Sequence, residues 1–159
     1  MSERQLDVSN RRLLKLAEHL DTIPVEAFNI HHWVSLNEKD TVWAPEVKKL
    51  EQYDSISEGV LANVECGFAA CAVGHASSIK EFQQEGFRML HDEEFGPIYP
   101  SYRGRHSFAA VNLFFGLDDE EAQMLFQSTG YGTRNVTPYD VAKQIRTFVN
   151  TRTEYNGEY

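Results

Sequence analysis

Cysteine is scarce in this chain: two in 159 residues, Cys66 and Cys71. Two thiols cannot build a disulfide framework. A chain of this length needs none, because a domain of about 150 residues buries roughly 70% of its unfolded surface. Long apolar runs are also missing. None approaches the ~20 residues that a membrane-crossing helix requires, and the opening segment MSERQLDVSNRR is polar, without the apolar core of a secretion signal. These features predict a cytoplasmic protein that avoids membranes. Positive charge is in deficit: 15 Lys and Arg against 24 Asp and Glu give a formal net charge of −9. Such a field repels phosphate backbones and argues against general nucleic-acid binding. An acidic surplus ordinarily makes a solubilising surface, and in rarer cases a nucleic-acid mimic offered to a basic partner. Gly-rich phosphate loops, a nucleophile-elbow serine, a zinc-protease helix motif, repeats and low-complexity blocks are absent.

What remains is a globular composition. Hydrophobic residues make up 42% and charged residues 25%, and ten Phe, seven Tyr and two Trp argue against disorder. The expectation is one domain over residues 1–152 and a polar tail over 153–159.

Leu13, Leu16, Ala17 and Leu20 recur at helical spacing, with Ser9 as the expected N-cap. Pro24 opens a short turn at PVEAF. Residues 30–63 have weak periodicity; a helix at PEVKKLEQY is compatible with the spacing of Val47, Leu50 and Tyr53. SSIKEFQQEGFRML reads as a helix capped by Ser78, with Ile79 and Phe82 as its apolar edge and Gly86 as its stop or bend. HDEEFGPIYPSYRGRH carries two prolines and two glycines and reads as a loop. Phe108 to Phe115 is apolar and helix-compatible, stopped by Gly116. Asp118 with Glu121 forms a capping-box pattern ahead of Ala122, Leu125 and Phe126. Thr137, Pro138 and Asp140 repeat that logic before the stripe of Val141, Ile145, Phe148 and Val149. The predicted fold is mainly α: an irregular single-domain bundle of about six helices.

Residues 66–77 read as a further helix, with small residues on nearly every side. Gly67, Ala69, Ala70, Ala72, Gly74 and Ala76 let neighbours approach closely, which places this helix at the centre of the bundle. Cys66 and Cys71 would point ~140° apart on it, too divergent for a mutual disulfide. Cys71 and His75, four apart, would share a face. Burial explains every residue of the run, with the thiols acting as small apolar groups and His75 as a core-edge histidine.

CGFAACAVGHA resembles the Cys-Gly-x-x-x-Cys-x-x-Gly-His/Trp signature of a family of small, uncharacterised bacterial and phage proteins. The other marks of that family are a leucine-rich N-terminal helix, F-(D/N)-x-x-x-W, F-F-G-L and T-P-x-x-V-A. This chain has FNIHHW at a slightly longer spacing, FFGL and TPYDVA, so the resemblance spans most of the sequence. Phe68 stands where the family has Thr or Ser. The resemblance implies the helical fold and carries no activity with it.

Two chemistries compete with the structural reading. His91–Asp92 is a His–Asp pair of the type that holds divalent metal in histidine–aspartate phosphohydrolases, with His75 upstream and Asp118 or Asp140 downstream as further candidates. The Gly-Lys that usually follows that dyad is missing. Cys71 with His75 is a two-ligand start for a metal site that His31, His32, His91 or Asp92 would have to complete. Cys66 before Gly67 at a helix start is how papain-like nucleophiles are placed, but the second Cys followed by an aromatic is absent. YRGRH offers Arg103, Arg105 and His106 either to an anion or as counter-charge to the acidic runs HDEE and DDEE. Trp33 in HHW reads as core with a polar rim, or as a surface anchor. The expected protein is therefore a non-catalytic binding or interaction domain that engages a protein partner or a second copy of itself. It requires no cofactor. The alternative is a metal-dependent hydrolase built on His75, His91 and Asp92, and a Cys–His hydrolase using Cys66 stands behind it.

Overall fold

The computed structural model of the chain describes residues 2–35, 55–62, 69–91, 98–132 and 135–157. Helix α1, Glu3–Leu20, begins about two turns earlier than Ser9 as its N-cap would imply. The Ser2 hydroxyl accepts the Gln5 N–H at 3.1 Å, and the Gln5 side chain accepts the Ser2 N–H at 2.9 Å, a reciprocal cap. Ser9, expected to be the cap, lies inside the helix and is buried. Its hydroxyl donates to the Phe115 carbonyl and accepts from Arg152 Nη2.

Helix α1 packs along the long C-terminal helix, which runs from Pro138 to Gly157. The two are antiparallel: Arg152 bonds to Asn10 at 2.7 Å while Arg146 reaches Asp21, eleven residues further along α1, at 2.6 Å. Leu13, Leu16, Ala17 and Leu20 are buried with Val141, Ala142, Ile145 and Val149 in one core. The start signal is as read from sequence. Thr137 Oγ1 accepts the Asp140 N–H at 3.1 Å and the Asp140 carboxylate accepts the Thr137 N–H at 2.9 Å. The helix continues through residues 153–157, which the sequence assigns to a polar tail.

Between these two helices in the sequence come short elements. They are a 3-10 turn at Val25–Ala27, β1 at Val34–Ser35, α2 at Ile56–Ala62, β2 at Ala69–Ala70, α3 at Ala72–Ala76, and α4 at Lys80–Gln84. After α4 come β3 at Arg88–His91, β4 at Ile98–Tyr102, β5 at Arg105–His106, α5 at Ser107–Phe115 and α6 at Asp119–Phe126. A 3-10 turn at Ser128–Gly130 leads to the C-terminal helix, α7. The protein is mostly helical, with a small antiparallel sheet ordered β3-β4-β5.

That sheet takes the place of the expected loop at His91, Ile98–Tyr102 and Arg105–His106, and residues 92–97 lie outside the described residues. Strand β4 buries Ile98, Pro100 and Tyr102 at alternate positions, the period of a strand with one face on the core. Its turn into β5 is Arg103-Gly104, with φ of +48° and +77°, the mirror-image turn that suits a two-residue hairpin. Gly86, at φ +98°, ends α4 and releases the chain into β3. Ser78 does not cap α4; Ile79 holds the cap position, and the Ser78 hydroxyl accepts the Ser57 N–H at 2.7 Å instead.

The small-residue run is likewise divided. Among its described residues, Ala69–Ala70 is strand, paired antiparallel with Val34–Ser35, and Ala72–Ala76 is helical. Backbone pairing outcompetes helix here because β1 and the Phe28–Asn29 segment both approach closely; Asn29 N–H donates to Ala70 O at 3.1 Å. The central placement holds, since all five residues of α3 are buried. The expected helix over 45–53 lies outside the described residues. No helix among the described residues is long and apolar enough to cross a membrane.

Gly74 shows what closeness the small residues permit. A β-carbon there would lie 2.0 Å from the Trp33 carbonyl oxygen. Gly74→Ala is expected to force α3 and the Trp33 segment apart and to cost about 1–3 kcal/mol, as overpacked cores do. Urea unfolding checks it; an unchanged midpoint would show that the two backbones can separate freely.

Candidate functional site

His75 is the most enclosed polar group of the chain, with no solvent exposure. Its Nε2 lies 2.8 Å from the Ala27 carbonyl, which can only accept, so Nε2 carries the proton. Nδ1 then accepts from the Ser57 hydroxyl at 2.8 Å. The Ser57 oxygen in turn faces His19 Nε2 at 3.2 Å. One imidazole thus joins α3 to the turn after α1, to α2 and, through Ser57, to α1 itself. Burial lowers the pKa of His75 from 6.5 to about 4, opposed by the Ala27 hydrogen bond and reinforced by His19. His19 is lowered too, by its own burial.

These bonds bear on each chemistry read from sequence. Both nitrogens of His75 are occupied, so a metal would have to displace Ser57 from Nδ1. Ser57 and His75 have the spacing of a nucleophile and its base, yet Ser57 is buried and an imidazole with a pKa of about 4 is a weak base. Cys71 sits at the N-cap of α3 with extended backbone, so it does not share a helical face with His75. It is free and buried. Burial pushes its thiol up to about 11, although backbone groups at Gly74 and Val73 pull the other way. His91 is at the end of β3, paired with Ile98 in the three-stranded sheet, an element separate from α3. Cys66 and Asp92 lie outside the described residues. No group of three or more His, Cys, Asp or Glu among the described residues is arranged to hold a metal ion.

A second place collects chemistry at the surface. Arg4, Val8 and Arg12 stack at four-residue spacing along α1 and face a cleft of about 720 Å³, closed on the other side by Tyr102, Arg103 and Leu113. The Arg12 guanidinium is held from below. It donates to the Phe114 carbonyl at 2.6 Å and to Glu85 at 3.0 Å through Nε, and lies 4.2 Å from the centre of the Phe114 ring. Arg12 and Arg103 also share the Tyr102 ring, at 5.8 and 5.2 Å from its centre. Arg103 has no carboxylate partner among the described residues, which leaves its counter-charge reading unsupported there. Asn112, on the same wall, donates to Asp119 at 2.7 Å, while its Oδ1 is buried without a partner. The sequence flags Arg103 through YRGRH, whereas Arg12 looks like one of many charges on the outer face of α1. Ser57 and His19 carry no local signal at all; only the tertiary fold brings them to His75.

The histidine bolt makes stability depend on acid. Its folded pKa lies below the unfolded value, so the fold favours the neutral ring. That contribution is complete above pH 6.5 and is lost as pH falls through about 4. The loss should approach about 3 kcal/mol, from 1.36 kcal/mol per pKa unit. Urea unfolding of wild type and His75→Gln between pH 7 and 4 reads it: the two should converge on acidification, and parallel curves would refute the assignment. For Cys71, thiol labelling of native protein should proceed only at the rate of unfolding or local opening.

No family model matches the chain, and neither the curated proteins nor the solved structures give a match.

Proposed function

We propose that this protein is a non-catalytic binding domain whose ligand-facing surface is the cleft between α1 and α5. The observation that supports it is the cleft itself. It has a size suited to a small molecule or a peptide end. Its lining combines apolar side chains with convergent polar groups: Leu113 is 47% exposed in it, and Arg103 has no ion pair among the described residues. His75, the histidine of both hydrolase readings, and Cys71, the candidate metal ligand, are bound into the core, while Cys66 lies outside the described residues. The resemblance to the Cys-Gly-x-x-x-Cys-x-x-Gly-His/Trp family fits the same reading, since it implies a fold and no reaction.

An NMR fragment screen on isotope-labelled protein tests the proposal. Fragments that bind should perturb backbone amides of Val8, Arg103 and Leu113. Leu113→Asp should abolish those shifts while leaving the circular dichroism spectrum unchanged. Hits confined to the groove lined by Met124, Tyr131 and Phe148, between α6 and α7, would move the binding surface elsewhere. Addition of manganese or zinc should leave the melting temperature unchanged; a metal-dependent rise that His75→Gln removes would favour the hydrolase alternative.

A further inference from the structure

We infer that the cleft recognises a small organic anion, a carboxylate or phosphate carried on an apolar body, through Arg103 and the free N–H groups of Arg12 at the Tyr102 end. The inference rests on the binding reading above and adds the chemistry of the ligand.

Charge accounting is the first ground. Glu85 bonds Arg12 and lies 3.6 Å from Arg11, while Glu81 lies 3.9 Å from Arg11 and 3.3 Å from Lys15. Two carboxylates therefore serve three cations of α1. Arg103 then arrives from the hairpin with no carboxylate partner among the described residues and is placed over the ring that Arg12 also approaches. Among the described residues, two guanidiniums approach one aromatic ring and Glu85 is bonded to one of them, which leaves Arg103 unpaired in a protein whose net charge is −9. The deficit is local and faces an open cleft.

Donor geometry is the second. The Arg12 guanidinium uses Nε and one N–H each of Nη1 and Nη2 on Glu85 and Phe114, so each terminal nitrogen keeps a second N–H. Its side chain is only 12% exposed, so those donors are fixed in direction by the protein. Arg103 adds a planar fork suited to two-oxygen recognition. The backbone supports this placement at a cost. Arg103 has φ +48°, a conformation that glycine or asparagine adopts more readily, and Ser107 at the other end of β5 has φ +56°.

The remainder of the cleft suits the rest of such a ligand. Leu113 and Val8 offer apolar surface beside the arginines. Asp118 and Glu121, at the start of α6, also line the cleft, so a second anionic group beside them would meet repulsion. One anionic head is the chemistry the cleft accepts.

The test compares benzoate, phenyl phosphate and benzamide by NMR titration at constant ionic strength. Benzoate or phenyl phosphate should shift the amides of Arg103 and Leu113 saturably, and the tighter of the two identifies the head group. Benzamide, isosteric with benzoate but neutral, should bind at least about tenfold more weakly. Arg103→Gly removes the guanidinium and suits the positive φ, so the hairpin is retained; it should weaken the anions about tenfold and leave benzamide alone. Equal binding of benzoate and benzamide, or undiminished anion binding by Arg103→Gly, overturns the anion inference while the cleft remains a binding site. No shift in the cleft with any of the three probes overturns the inference, and the absence of cleft hits in the wider fragment screen would overturn the binding reading with it.

Discussion

Phe114 is the contact on which the surface cleft and the core both depend. Its ring is buried against Phe82, Phe87, Tyr102 and Phe115, at centroid distances of 4.9, 4.6, 5.0 and 5.0 Å. Those rings come from α4, the residue just before β3, the end of β4, and α5 itself. Edge-to-face or offset contacts of this kind contribute about 0.5–1.5 kcal/mol each beyond the area they bury. The hub therefore fixes the sheet against α5. Because the Phe114 carbonyl and ring also hold the Arg12 guanidinium, the same hub fixes α1. A cation packed this deeply keeps one orientation, which is what separates a binding arginine from one of the exposed charges on the outer face of α1.

The opposite side of the core is held by a polar contact. A buried imidazole is costly unless each nitrogen is bonded. His75 meets that requirement with Ala27 and Ser57, and Ser57 is further tied to Ser78. The arrangement gives direction that apolar packing lacks: α2, α3 and the turn after α1 can meet in only one register if both nitrogens are to be satisfied. Burial in the same helix keeps the Cys71 thiol protonated. Cys71 fills space at the start of a five-residue helix enclosed on all sides. A polar cluster in the middle of a sequence can thus look like a reactive centre and serve as a joint.

Helix signals that are local were legible, and signals that need a partner were not. The caps at Asp118 and Thr137 and the stop at Gly116 lie where their residues announce them, because each is completed within four residues. Ser9 and Ser78 have the same side-chain chemistry, but their hydroxyls are spent on Phe115, Arg152 and Ser57, far away in sequence. The three-stranded sheet was hidden for a related reason. Its middle strand holds Pro100, and its turn places an arginine at positive φ, so both the strand and the hairpin lack their usual markers. The alanines at 69 and 70 favour helix in isolation, and only the neighbouring backbone at 28–35 converts them to strand. Of the candidate site residues, the burial of Cys71 and His75 was readable from the small side chains around them. Arg12 and Ser57 were not, since nothing in the sequence distinguishes them from their neighbours.

The charge pattern narrows what the cleft can hold. A net charge of −9 repels any anion at a distance, but at physiological salt that field decays over about 8 Å. Beyond this range the protein offers an anionic ligand no electrostatic steering; within it, the nearest groups dominate. On the proposed reading, a small molecule with one anionic head would meet the guanidiniums beside Tyr102 with Glu85 as the near carboxylate, and would escape most of the accumulated repulsion. A long polyanion must lay further charges along the surrounding surface, where the acids of α6 stand on the lip of the cleft, and each added charge adds repulsion. On the same reading, the acidic surface would work with the arginines: accumulated repulsion would disfavour a long polyanion, while a single head group would be recognised at short range by geometry.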